Sequence, residues 1–157
     1  MIKNSSKLLF AILICLGTGM IGSLFTTPFI KTWYAELLKP SFSPPNWIFA
    51  PVWTILFILM GIAVWFIWQK GIGQKMVKNA VTFFGIQLVL NILWSFLFFT
   101  FHSPLLAFID ITILLVLIVL ITKDFFKISK IAGYLMVPYV LWVFFALFLN
   151  LFIVFLN

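Results

Sequence analysis

The chain has 157 residues, of which 65% are hydrophobic and 8% charged, with a mean hydropathy of +1.27. A soluble domain is roughly 45–50% apolar and about a quarter charged. Ten lysines and three acids cannot cover a soluble fold of this size, so the bilayer has to be the solvent. The net charge of +7 comes wholly from lysines in short connecting segments, a pattern of membrane topology rather than of a nucleic-acid surface.

About 20 apolar residues cross the hydrocarbon as a helix, and the chain offers five such stretches. The first runs over residues 8–29 with no charge inside it. Lys3 and Lys7 before it and the small residues of "GTG" within it imitate a secretory leader, but the apolar run continues past them to span length. Cys15, Gly19 and Ser23 recur at intervals of four, a small-residue stripe suited to close packing inside a bundle or across a dimer. As the only cysteine, Cys15 excludes an internal disulfide.

Residues 30–46 are too polar and proline-rich to span, yet "KTWYAELL" has helical spacing and predicts a short surface helix in this first loop, placed to act as a lid. The prolines of "KPSFSPPNW" disfavour helix and point to a rigid hinge, with Asn46 the predicted N-cap of the next helix. The second span covers residues 47–68, and Pro51 lies in its first turn or kinks it. Trp47 sits at the boundary, where indoles anchor; Trp53 lies two turns in.

The third span, residues 80–101, places Gln87, Asn91, Trp94, Ser95 and Phe98 on one helical face. Amides in hydrocarbon need partners, so this face looks inward, toward another helix or toward a ligand. The fourth span, residues 104–122, holds Asp110, the one acid within a span, which is either a functional group or close enough to the end to reach the outer surface. The fifth, residues 131–156, lines up Tyr139, Trp142, Ala146 and Asn150, with Ala146 leaving space that is explained by helix packing or by a ligand.

Lysine placement sets the topology. Lys3, Lys7, Lys70, Lys75, Lys78, Lys123, Lys127 and Lys130 fall on one side and only Lys31 and Lys39 on the other. The amino terminus is therefore expected in the cytoplasm, and the first loop and carboxyl terminus outside, in a multi-pass protein of the cell membrane. The expected fold is an all-α integral membrane bundle of five transmembrane helices with a short helix in the first loop, a single domain over residues 1–157. With His102 at a span end, Cys15 isolated and no paired carboxylates in sequence, no metal or triad constellation can be assembled. Trp53, Trp94 and Trp142 fit an interfacial belt poorly, and together point to a cavity for a large planar ligand.

The stretches "WYAELLKPSFSPPNWIFAPVW", "QLVLNILWSFLFF" and "PYVLWVFFALFLN" resemble the tryptophan-rich sensory protein / translocator protein family, also called the peripheral benzodiazepine receptor, over nearly the whole chain. The resemblance implies a commonly dimeric five-helix bundle that binds porphyrins, including protoporphyrin IX and haem, with no cofactor required. It implies a pocket lined by Tyr34, Trp53, Asn91, Trp94, Trp142 and Ala146. Some bacterial members are reported to degrade protoporphyrin IX in light and oxygen, which makes Trp53 and Trp142 candidate catalytic residues. Tetrapyrrole transport, or stress sensing through a partner, is the alternative. The last helix lacks the tyrosine and basic residue of the animal sterol motif, which makes a bacterial membrane the simpler context; the expected partners are a porphyrin or similar hydrophobic molecule, membrane lipid and a second copy of the chain, not nucleic acid.

Overall fold

A computed structural model describes the backbone of residues 2–157 and the side chains of residues 4–157, so the side chain of Lys3 lies outside the described residues. Six α-helices follow in chain order: α1 (Ile2–Ile30), α2 (Trp33–Glu36), α3 (Asn46–Trp68), α4 (Lys75–Ser95), α5 (Pro104–Ile128) and α6 (Lys130–Leu156). Five of them are long and apolar enough to cross a membrane, with mean hydropathies from 1.9 to 3.0. Helices satisfy every backbone group within the segment, which is why the spans are helical throughout.

The ends follow local chemistry. Ser103 caps α5 by accepting from the Leu106 amide at 3.3 Å, with Pro104 in the first turn, where its missing N–H costs nothing. Ser129, extended between two helices, caps α6 by accepting from the Ala132 amide at 3.4 Å and makes the α5–α6 turn a single residue long. Asn46 does not cap α3 as expected. The position before the helix is Pro45, whose fixed φ of −57° presets the entry, and no side chain caps it. The predicted short helix is present but confined to the four residues of α2. Pro51 sits inside α3, where its ring leaves the Trp47 carbonyl without the usual intrahelical donor.

The spans form a closed ring in the order α1, α3, α6, α5, α4 and back to α1. Small residues bring α1 and α3 together: a Cβ at Gly61 would stand 2.6 Å from the Ile12 Cα, and one at Gly19 would stand 2.7 Å from the Phe57 ring. The stripe of Cys15 and Gly19 therefore turns into the bundle, with Cys15 fully buried. The half of the bundle that carries the lysine-rich turns is solid, filled by Met60, Ile67, Val77, Phe84, Ile118, Phe125 and Met136. The other half, beneath α2, is hollow.

One irregularity borders that hollow. After Ser95 the α4 ladder widens into a π-turn over Phe96–Thr100. Phe98 and Phe99 in this turn are both buried and face the hollow.

Candidate functional site

The hollow half encloses a cavity of about 510 Å³, within the roughly 300–1,000 Å³ typical of small-molecule sites. All six residues named from the sequence line it: Tyr34 from α2, Trp53 from α3, Asn91 and Trp94 from α4, and Trp142 and Ala146 from α6. Phe49, Phe57, Phe98, Phe99, Leu149 and Ile153 complete an apolar wall, and Asn150 and Ser95 add polar groups. On one side the lining residues Met20, Ser23, Ala50 and Thr54 are exposed between α1 and α3. Two of the hydroxyls there turn back onto their own helices, Ser23 donating to the Met20 carbonyl at 2.7 Å and Thr54 to that of Ala50 at 2.7 Å.

The polar groups divide into committed and free. The Asn91 Nδ2 donates to the Tyr139 hydroxyl at 3.0 Å, which donates to Gln87 Oε1 at 2.7 Å. Gln87 and Tyr139 are fully buried, so the inward face of α4 serves both expected purposes: interhelical bonding at Gln87 and cavity lining at Asn91. The Trp94 indole N–H donates to Asn150 Oδ1 at 3.0 Å, and Asn150 Nδ2 donates to the Pro104 carbonyl at 2.8 Å. That indole also stacks on Phe98 at 5.1 Å between centroids, which makes Trp94 a fixed wall. Trp142 differs. It packs edge-on to Phe49 and obliquely on Phe145, and its buried Nε1 has no hydrogen-bond partner among the described residues.

Tyr34 forms the roof. Its ring rests on Phe99 at 5.4 Å and Phe98 at 6.1 Å, and the Lys39 ammonium lies 4.5 Å above it. Burial pushes the phenol above the ordinary tyrosine value of 10.0, so the roof is neutral at physiological pH. Trp33 docks α2: it stacks on His102 at 4.5 Å and meets Phe98 edge-on. His102 holds that position with a φ of 55°, a left-handed conformation uncommon outside glycine. Trp47 is 73% exposed, and Trp68 lies beneath the Lys7 ammonium on the lysine-rich side.

Asp110 does not reach the outer surface. It is 5% exposed, its Oδ2 has no hydrogen-bond partner among the described residues, and it is not part of the cavity wall. Sequence spacing had grouped Asn150 with the α6 face without giving it a role; its role as the partner of Trp94 could not be read without knowing that α4 and α6 face each other across the hollow.

Comparison with known proteins agrees with this architecture. The TspO/MBR family model matches residues 11–156. The chain is 45% identical to the tryptophan-rich protein TspO of Chlorobaculum tepidum, covering 99% of this chain and 98% of that one. It is 43% identical to the protein of the same description from Archaeoglobus fulgidus, covering 98% and 99%. It is 33% identical to the translocator protein of Homo sapiens, covering 83% and 78%. With five spanning helices around a tryptophan-lined hollow and a family match over nearly its whole length, the chain is a multi-pass membrane protein that belongs to the TspO/MBR family.

Proposed function

We propose that this protein binds planar tetrapyrroles, protoporphyrin IX or haem, in the cavity beneath α2. The observation that carries the reading is the cavity itself, about 510 Å³ walled by the indoles of Trp53, Trp94 and Trp142. The Trp142 Nε1 is closed off without a partner among the described residues, and a small turn of its ring would offer that donor to a ligand acceptor and recover the cost of leaving it unmade. Trp53 and Trp142 offer aromatic surface, and Asn91 Oδ1, uncommitted once Nδ2 has bonded Tyr139, supplies an acceptor for a pyrrole N–H. No cofactor is needed for binding. Lysine placement supports a cytoplasmic amino terminus in the cell membrane, with the cavity in the outer half. A homodimer is part of the same proposal, from family likeness.

Light-dependent degradation of protoporphyrin is the second reading, favoured by the edge-to-face contact of Trp53 with Tyr139 at 6.3 Å. An excited porphyrin with dioxygen would supply the oxidant, and an indole at the ring, Trp53 or Trp142, the electron. In nanodiscs, protoporphyrin IX is expected to quench tryptophan fluorescence saturably. Trp53→Phe with Trp142→Phe is expected to keep saturable, weaker quenching and to lose the light-dependent fall in porphyrin absorbance. Equal bleaching in the double variant would remove the enzymatic reading, and non-saturable quenching by the parent would remove the binding site.

A further inference from the structure

The segment over residues 31–45 reaches the cavity through Tyr34, so whatever fixes that segment fixes the roof. Past α2 the backbone turns extended at Leu37, with φ −67° and ψ 140°, and regular helical bonding ends. At Leu38 a side chain from the far end of the chain, at the close of α6, takes over. The Leu38 amide donates to Asn157 Oδ1 at 3.0 Å, and Asn157 Nδ2 donates to the Leu38 carbonyl at 2.9 Å. The remaining hydrogen of Nδ2 goes to the Ile153 carbonyl at 2.9 Å. One carboxamide thus pairs with one residue's backbone as a neighbouring strand would, and ties it to the last turn of α6. Ile153, the anchor of that turn, is itself cavity wall.

The side chain of Leu38 is 63% exposed, so at this residue the attachment to α6 is the polar clasp, added to the packing of Trp33 and Tyr34 against Phe98 and Phe99. Tyr34 is linked to it at short range: the Leu37 amide donates to the Tyr34 carbonyl at 3.3 Å, and the Lys39 ammonium bonds the Leu37 carbonyl at 3.1 Å while lying over the Tyr34 ring. A second, apolar attachment is Phe42, edge-on to Phe152 and Phe145 of α6.

We propose that Asn157 is a positioning residue for ligand exchange: its carboxamide closes the roof on α6, and opening that clasp is the step that admits and releases the ligand. The proposal rests on the cavity being a ligand site, and it commits to passage past the roof rather than through the exposed side between α1 and α3. Two neutral hydrogen bonds at an exposed site hold the closed state by roughly a factor of five. Because the clasp closes the roof with or without ligand, its loss speeds entry and exit alike.

The test is stopped-flow quenching of the full chain in nanodiscs by protoporphyrin IX, with hydrogen exchange at the Leu38 amide measured without ligand. Asn157→Ala is expected to raise the association and dissociation rates together by about fivefold, leaving Kd nearly unchanged, and to speed Leu38 exchange. Asn157→Asp, which keeps the acceptor and loses both donors, is expected to fall between. A variant that merely loosened the pocket would raise dissociation and lower association, and that result would overturn the proposal. So would unchanged rates beside faster Leu38 exchange, since the ligand would then pass between α1 and α3. Unchanged Leu38 exchange would show that no clasp forms. Absence of saturable quenching in the parent would instead count against the binding reading, while Leu38 exchange still decides whether the clasp exists.

Discussion

Trp94 and Trp142 line one cavity, yet a single hydrogen bond separates their roles. Trp94 spends its N–H on Asn150, whereas Trp142 keeps its own unpaired. Trp142→Phe keeps an aromatic wall, somewhat smaller, and deletes the donor. Protoporphyrin affinity is expected to fall about three- to tenfold, the worth of one neutral hydrogen bond; Trp94→Phe removes no free donor and should chiefly lower stability, because Asn150 Oδ1 loses its donor in a buried site. A larger affinity loss in Trp94→Phe, read by fluorescence titration with thermal unfolding, would reverse the assignment. At this scale the sequence was informative because residue type and spacing alone put Gln87, Asn91, Trp94, Trp142 and Ala146 on inward faces. It could not tell a spent donor from a free one, since that depends on which helix stands opposite.

The helices meet as closely as their small residues allow. A Cβ at Gly61 would fall 2.6 Å from backbone of α1, which no rotamer change relieves, whereas one at Gly85 would meet nothing within 4 Å. Gly61→Ala is therefore expected to lower the thermal midpoint in detergent, at a cost of about 1–3 kcal/mol, and Gly85→Ala to leave it unchanged or slightly higher. Equal midpoints for the two would contradict the close α1–α3 contact. Span number and order were legible, because hydrophobic runs of this length have one solution in a bilayer. The ends were less so: Asn46 looked like a cap, but Pro45 presets the entry to α3 by its fixed φ. The π-turn at Phe96–Thr100 left no mark in a uniformly aromatic and aliphatic stretch, although Phe98 and Phe99 within it both line the cavity.

The molecule as a whole is solid at one end and hollow at the other, and the hollow end is the one away from the lysine-rich turns. With the lysine-rich turns on the cytoplasmic side, as proposed, that polarity would put the cavity in the outer half of the membrane. Lys31→Cys is expected to react with an impermeant maleimide in intact cells and Lys75→Cys only after lysis, against a background in which buried Cys15 is silent; the opposite pattern would invert the molecule. Lysine counting yields this proposed orientation from the sequence, while the cavity's volume and its roof, set by contacts between residues far apart in the chain, were not legible there. The central claim is that the hollow is a porphyrin site, and the most direct measurement is titration of tryptophan fluorescence with protoporphyrin IX in nanodiscs, comparing the parent with Ala146→Phe. The parent is expected to quench saturably, and the variant, with the cavity filled and helical content unchanged, to bind at least tenfold more weakly. Equal saturable quenching by both would place the ligand elsewhere and contradict the account.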